Sequence, residues 1–122
     1  MVEDESAISD IQYRVLTQSP FNHTVEIANN GQAAMDLFDE KKYDLISLDY
    51  ILPGNINGKD VYSHIRNTDK QVPILFVSGN IEFLESIKLL KQKDACIDHL
   101  SKPCQNMEYV TRITQLLEKI PA

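Results

Sequence analysis

Short apolar runs alternate along the chain with segments of helical period. Runs at 24–28 (TVEIA), 43–48 (YDLISL), 72–78 (VPILFVS) and 95–100 (ACIDHL) have the length and the β-branched or aromatic content of strands. Between them the spacing changes. Residues 6–18 carry Ile8, Ile11, Val15 and Leu16 on one helical face, and 31–41 carry Ala34, Met35, Leu37 and Phe38. Residues 58–67 carry Val61 and Ile65, and 81–91 carry Phe83, Leu84, Ile87 and Leu90. Residues 105–119 carry Met107, Val110, Ile113, Leu116, Leu117 and Ile120. Strands alternating with helices predict a parallel sheet covered by helices on both faces. Parallel crossovers are right-handed, and ligands of such sheets bind beyond the carboxyl ends of the strands.

That rule directs attention to the strand ends. The run ISLDYILPG (46–54) carries an apolar strand straight into a carboxylate, Asp49, before a Pro-Gly turn. An ionised carboxylate taken out of water is costly unless something compensates it. Asp49 is therefore either a turn residue just past a strand or the reason the strand is there. The next run ends in Val77-Ser78-Gly79 and the last in Ser101-Lys102-Pro103, while Glu3-Asp4-Glu5 precedes the first helix. Singly these are ordinary: a strand-end hydroxyl, a surface lysine, an acidic helix start favoured by the helix dipole. Together they put carboxylates, a hydroxyl and an ammonium on one rim. Crowded carboxylates raise one another's pKa or recruit a cation. All-oxygen ligands favour Mg²⁺, which takes one or two carboxylates and works beside phosphate. A metal beside a carboxylate nucleophile suits phosphoryl transfer to that carboxylate, with lysine and hydroxyl stabilising the phosphoryl oxygens.

The bulk properties narrow the setting. The 122 residues fit one domain, 1–122, of soluble composition, 43% hydrophobic and 25% charged. A net charge of −6 argues against nucleic acid or an anionic membrane as partner. No apolar run approaches the roughly 18 residues of a membrane span, and no signal peptide precedes the first acidic cluster. Cys96 and Cys104 form neither a metal-ligand spacing nor a disulfide framework. A cytoplasmic location is the expectation. His23 and His64 read as surface residues, and Cys96 and Cys104 as a packing thiol and a loop thiol.

Four stretches, VEDE (2–5), LISLD (45–49) followed by LPG, FVSG (76–79) and LSKP (100–103), resemble in order and spacing the receiver domain of bacterial two-component response regulators. The resemblance spans nearly the whole chain. It implies a flavodoxin-like, doubly wound parallel sheet of five strands in the order 2-1-3-4-5 with five helices. It also implies a signalling switch, phosphorylated on aspartate by a histidine kinase or phosphotransfer protein, that acts on a downstream output domain or protein. It is not an enzyme acting on a metabolite. Carried over by position, Asp49 is the phosphoacceptor and Asp4 a direct Mg²⁺ ligand. Glu3 is its acidic neighbour, acting through water, and the Ile51 backbone carbonyl is a further metal ligand. Ser78 and Lys102 bind the phosphoryl group, and Pro103 follows a cis peptide. Ser78 and His99 are the switch pair, read out on the face formed by 81–91, the last strand and 105–119.

Four features depart from the family pattern. Only Met1 and Val2 precede the acidic cluster, so the central first strand is truncated or very short. The interval from Pro53 to Gly58 is one residue longer than usual. His99 replaces an aromatic residue, and Ala95-Cys96 replaces Gly-Ala. Three competing readings differ in class. A haloacid-dehalogenase-type phosphatase also uses an aspartyl nucleophile with Mg²⁺, but it wants an aspartate two residues on, where this chain has Ile51. A flavin module would need a phosphate loop where Glu3-Asp4-Glu5 would repel phosphate. A non-phosphorylated pseudo-receiver would not need the acid, hydroxyl and lysine set.

Overall fold

The computed structural model describes residues 1–2, 13–14, 16–18, 23–49, 54–79, 81–101 and 106–118. Three parallel strands, β1 (Ile46–Asp49), β2 (Ile74–Ser78) and β3 (Ile97–Ser101), form a sheet in that order. Four helices alternate with them: α1 (Gly31–Glu40), α2 (Gly58–Thr68), α3 (Ile81–Leu90) and α4 (Asn106–Glu118). Tyr13, Arg14, Leu16 and Thr17 are also helical, within the expected first helix. β1 and β2 are buried at every position, as strands covered on both faces must be.

Beyond β1 the sheet continues through single bridges. Val2 pairs in parallel with Leu48 on one side and with Ala28 on the other. The lateral order is therefore Ala28, Val2, β1, β2, β3, which is the predicted 2-1-3-4-5 arrangement. Residues 24–27 form no regular strand, contrary to the expectation for 24–28. Their ladder bonds are to Met1, whose amine donates to the Glu26 carbonyl and whose carbonyl accepts the Ala28 N–H. The other strands begin two or three residues late for local reasons. The Asp69 carboxylate accepts the Gln71 and Val72 N–H groups at 2.9 Å each, and the Asp94 carboxylate accepts the Cys96 N–H at 2.9 Å. Both turns hold backbone that would otherwise join the ladder.

Side chains alternate between two cores. Val2, Ile46, Leu48, Ile74, Phe76 and Ile97 face α1, α2 and α3, where Ala34, Val61, Ile65, Phe83 and Ile87 meet them. Leu75, Val77 and Leu100 face the other way, onto Leu16 and the α4 residues Tyr109, Val110, Ile113 and Leu116. The buried Tyr109 hydroxyl bonds Ser47 Oγ at 2.6 Å, so the polar residue inside β1 is matched. The buried Arg66 guanidinium ties α2 to the turn before β3 through Asp94 at 2.8 Å and the Cys96 carbonyl at 3.4 Å.

The segment just before α2 docks on the start of α1. Gly54 adopts φ 90°, which glycine takes without strain. Asn57 and Asp60 then form a reciprocal capping box on α2, at 3.0 and 2.9 Å. Between Gly54 and Asn57, Ile56 lies over Gly31, where an added Cβ would come within 2.9 Å of Ile56 Cβ and 3.2 Å of its carbonyl. Alanine normally stabilises a helix by up to ~1 kcal/mol relative to glycine. Here Gly31→Ala is expected to destabilise the fold by about 1–3 kcal/mol through overpacking. Urea unfolding checks this, and Gly31→Ala with Ile56→Ala should recover most of the loss.

Candidate functional site

The strand register brings the carboxyl ends together. Asp49 is the last residue of β1 and lies opposite Val77, and Ser78 lies opposite Ser101. Asp49 thus ends the strand itself and is not a turn residue beyond it. It is 6% exposed and Ser78 is 1% exposed, and neither is without a partner. The Asp49 N–H donates to the Val2 carbonyl at 3.1 Å. That bond ties the carboxylate-bearing residue to Val2, one residue before the acidic cluster begins.

Of the predicted site residues, the structure therefore brings Asp49 and Ser78 to adjacent strand ends. Glu3, Asp4, Ile51, Lys102 and Pro103 lie outside the described residues, as does Cys104. Among the described residues no three His, Cys, Asp or Glu side chains gather as metal ligands. The donors that the sequence assigns to a cation are all hard oxygens, which suits Mg²⁺ over a softer ion.

His99 sits in the middle of β3, opposite Phe76, and is half-buried. Its Nδ1 is buried without a hydrogen-bond partner and stands 3.8 Å from the Asp98 carboxylate. Burial, then the nearby Lys91 charge, lowers its pKa, and Asp98 only partly opposes them. Asp98 is the hub that the sequence reading passed over. Its carboxylate accepts Lys91 Nζ at 2.9 Å, the His99 N–H at 2.8 Å and Arg112 Nη1 at 3.2 Å. Burial pushes this carboxyl up, but the bonds from Lys91 and the His99 N–H outweigh it and leave the pKa below the usual value. Arg112 also donates to the His99 carbonyl at 3.1 Å. One carboxylate thus joins the end of α3, β3 and α4. The signal was present: a charge inside a buried run, the same anomaly that singled out Asp49.

The remaining thiol and imidazole expectations fare as follows. Cys96 is a free, half-buried thiol in the turn before β3. His64 bonds Asp39 at 2.8 Å near the surface, with its ring edge-on to Phe38. His23 is half-buried, and its N–H donates to the Leu16 carbonyl.

The sign of the His99 shift gives a stability test. A base whose folded pKa is depressed binds fewer protons when folded, so stability is lost as pH falls through the unfolded value, about 6.5. Unfolding free energy is expected to fall between pH ~7.5 and ~5.5, and to fall less in His99→Phe, by denaturant titration at both pH values. Asp98 acts in a separate window: its lowered pKa gives stability that is lost only as pH falls below its unfolded value, about 3.9. Equal declines in parent and variant would contradict the assignment to His99.

Comparison with known proteins agrees with this geometry. Residues 1–114 match the family described as the response regulator receiver domain. The chain is 33% identical over 121 residues to the response regulator ArlR of Staphylococcus epidermidis, covering 99% of this chain and 52% of that protein. It is 34% identical over 121 residues to the transcriptional regulatory protein CusR of Escherichia coli, covering 98% and 50%. It spans about half the length of these curated relatives. In structure it is similar to the receiver domain of NtrX from Brucella abortus, with TM-score 0.81 over 97% of this chain and 96% of that one. Their 20% identity speaks to the fold alone. With the register of its strand ends and a family match over nearly its whole length, the chain belongs to the response regulator receiver domains, the phosphorylation-activated switches of two-component signalling.

Proposed function

We propose that Asp49 accepts a phosphoryl group from the phosphohistidine of a sensor kinase or phosphotransfer protein. The phosphorus–nitrogen bond breaks as the bond to an Asp49 carboxylate oxygen forms. The observation that carries this reading is the buried carboxylate at the end of β1, in register with the Ser78 strand end. In this reading Asp4, Asp49 and the Ile51 carbonyl hold Mg²⁺, with Glu3 acting through water. The ion would neutralise charge between the carboxylate and the incoming phosphoryl oxygens. Ser78 donates its hydroxyl and Lys102 its ammonium to those oxygens. The chain catalyses only its own modification and turns over no metabolite. It forms one receiver domain over 1–122, works in the cytoplasm, and passes its state to an output domain or protein. Among the described residues no helix is long and apolar enough to cross a membrane.

His99 transmits the change in this reading. When Ser78 bonds the phosphoryl group, the strand end of β2 shifts beside β3, and His99 moves inward. The unpartnered, buried Nδ1 supports a ring held neutral for such a move. The Asp98 bonds to Lys91 and Arg112 pass any displacement of β3 to α3 and α4.

The test is incubation with Mg²⁺ and acetyl phosphate, followed by intact-mass measurement. One base-labile phosphate is expected on the parent and none on Asp49→Ala. An equal gain by Asp49→Ala would remove Asp49 from the role. Asp4→Asn should weaken Mg²⁺ binding, read as loss of the metal-dependent rise in thermal stability. Lys102→Ala should blunt the response of the α3 amides to beryllofluoride while leaving Mg²⁺ binding largely intact.

A further inference from the structure

One carboxylate oxygen carries the tie between the end of α3 and β3. Lys91, the residue after α3, donates from Nζ to Asp98 Oδ1 at 2.9 Å, and the His99 backbone N–H donates to that same oxygen at 2.8 Å. Arg112 Nη1 takes the other oxygen, Oδ2, at 3.2 Å. A carboxylate offers about four lone-pair sites, roughly two on each oxygen, so Oδ1 is already fully used. His99 Nδ1 stands 3.8 Å from Oδ1. It is buried, and among the described residues it has no hydrogen-bond partner.

A proton on the ring changes the competition for Oδ1. Imidazolium carries an N–H on both ring nitrogens. The new Nδ1–H lies beside Oδ1 and reaches a charge-assisted bond by closing to ~2.7–2.9 Å. One of the two donors already there must leave. The His99 backbone N–H is held in place by the chain itself. The Lys91 side chain is 37% exposed, so its ammonium can take water in place of the carboxylate. A buried Nδ1–H has no such exchange, and leaving it without an acceptor is the costlier outcome.

We propose that His99 and Lys91 compete for Asp98 Oδ1, so that acid, by protonating His99, detaches Lys91 and unties the end of α3 from β3 with no phosphoryl group present. The proton is then a second input to the joint of α3, β3 and α4. This goes beyond the phosphorylation reading and does not rest on it.

The charges around the ring set the range of the response. Lys88 and Lys91 stand on the α3 side, Arg112 on α4 and Asp98 in β3 itself, while β2 brings no ionisable side chain. Lys88 is bonded to Glu85 at 3.0 Å. Burial, then Lys91, lowers the His99 pKa; Asp98 opposes them, and Lys88 and Arg112 add to the lowering. The ring therefore stays neutral near pH 7 and charges only below its ordinary value of about 6.5. Departure of Lys91 removes one of the cations that oppose protonation, so the two events favour each other.

The 122-residue chain, without Mg²⁺ or phosphodonor, is titrated by NMR from pH ~7.5 to ~5.0, a range that brackets the ordinary imidazole value. The His99 ring, the Lys91 side chain and the Leu90 and Lys91 amides are expected to shift with one common midpoint below that value. Lys91→Ala should raise the His99 midpoint, and by more than Lys88→Ala does, because Lys88 opposes the charge while bonded to Glu85 and Lys91 also holds Oδ1. In His99→Phe the Lys91 signals should stay still across the range. Asp49→Ala should titrate like the parent, so failure here leaves the phosphorylation reading intact, and failure of the acetyl phosphate assay leaves this one intact. The proposal is overturned by a His99 ring that charges while Lys91 stays still, or by a ring that remains neutral to the acid end. Equal midpoints in the two lysine variants, Lys91 shifts that persist in His99→Phe, or a response lost in Asp49→Ala would overturn it as well.

Discussion

The structure depends on four backbone hydrogen bonds made by two residues. Met1 and Val2 bond Glu26 and Ala28 on one side and Ser47 and Asp49 on the other. Without them the sheet would split between residues 24–28 and β1, leaving buried ladder groups unpaired at roughly 1–3 kcal/mol each. Val2 also fills the core against Leu48, Ala28 and Ala34, so the hydrogen bonds sit in a dry setting where they are hard to exchange for water. One of the four belongs to Asp49 itself. The position of Asp49 and the integrity of the sheet are therefore held by the same two residues.

The two faces of the sheet are built differently. Toward α1, α2 and α3 the contacts are mainly apolar, with the Phe76 ring tilted against Tyr62 and edge-on to Phe83 at ring distances of 5.6 and 5.4 Å. Such packing resists small displacements. At the β3 edge the links are ionic and directional. Asp98 is paired with Lys91 and Arg112, whose side chains are partly exposed. The cations reach solvent while the Asp98 carboxylate is buried, so these links can change partner geometry on the solvent side more readily than the packed apolar face can shift. The rigid face holds the strand ends in place, and the polar edge is where a shift of β3 can be taken up and passed on.

The sequence was most legible where burial is strongest. The helix spans came within one or two residues at each described end, because each carries an apolar stripe and two carry caps, Asn30 and Asn57. Strand starts were less legible, since Asp69 and Asp94 hold the preceding backbone in side-chain-bonded turns that an apolar run does not reveal. The region 24–28 has strand composition but not strand structure, because strand formation depends on a partner that composition cannot supply. At the site, Asp49 and Ser78 were legible from their position after apolar runs. Asp98 carried the same signal and was passed over because its run continues beyond it, so the charge did not mark a strand end.

Along β1, the Asp49 end is bonded to Val2, while the other end borders a cavity of about 440 Å³ through Leu45 and Ser47. Tyr109 marks the boundary between the two. Its ring lines that cavity, while its hydroxyl is fixed to Ser47, one residue from Leu48 and two from Asp49. Anything that fills the cavity presses on a side chain bonded to the strand that ends in Asp49, so the two ends of β1 are mechanically connected.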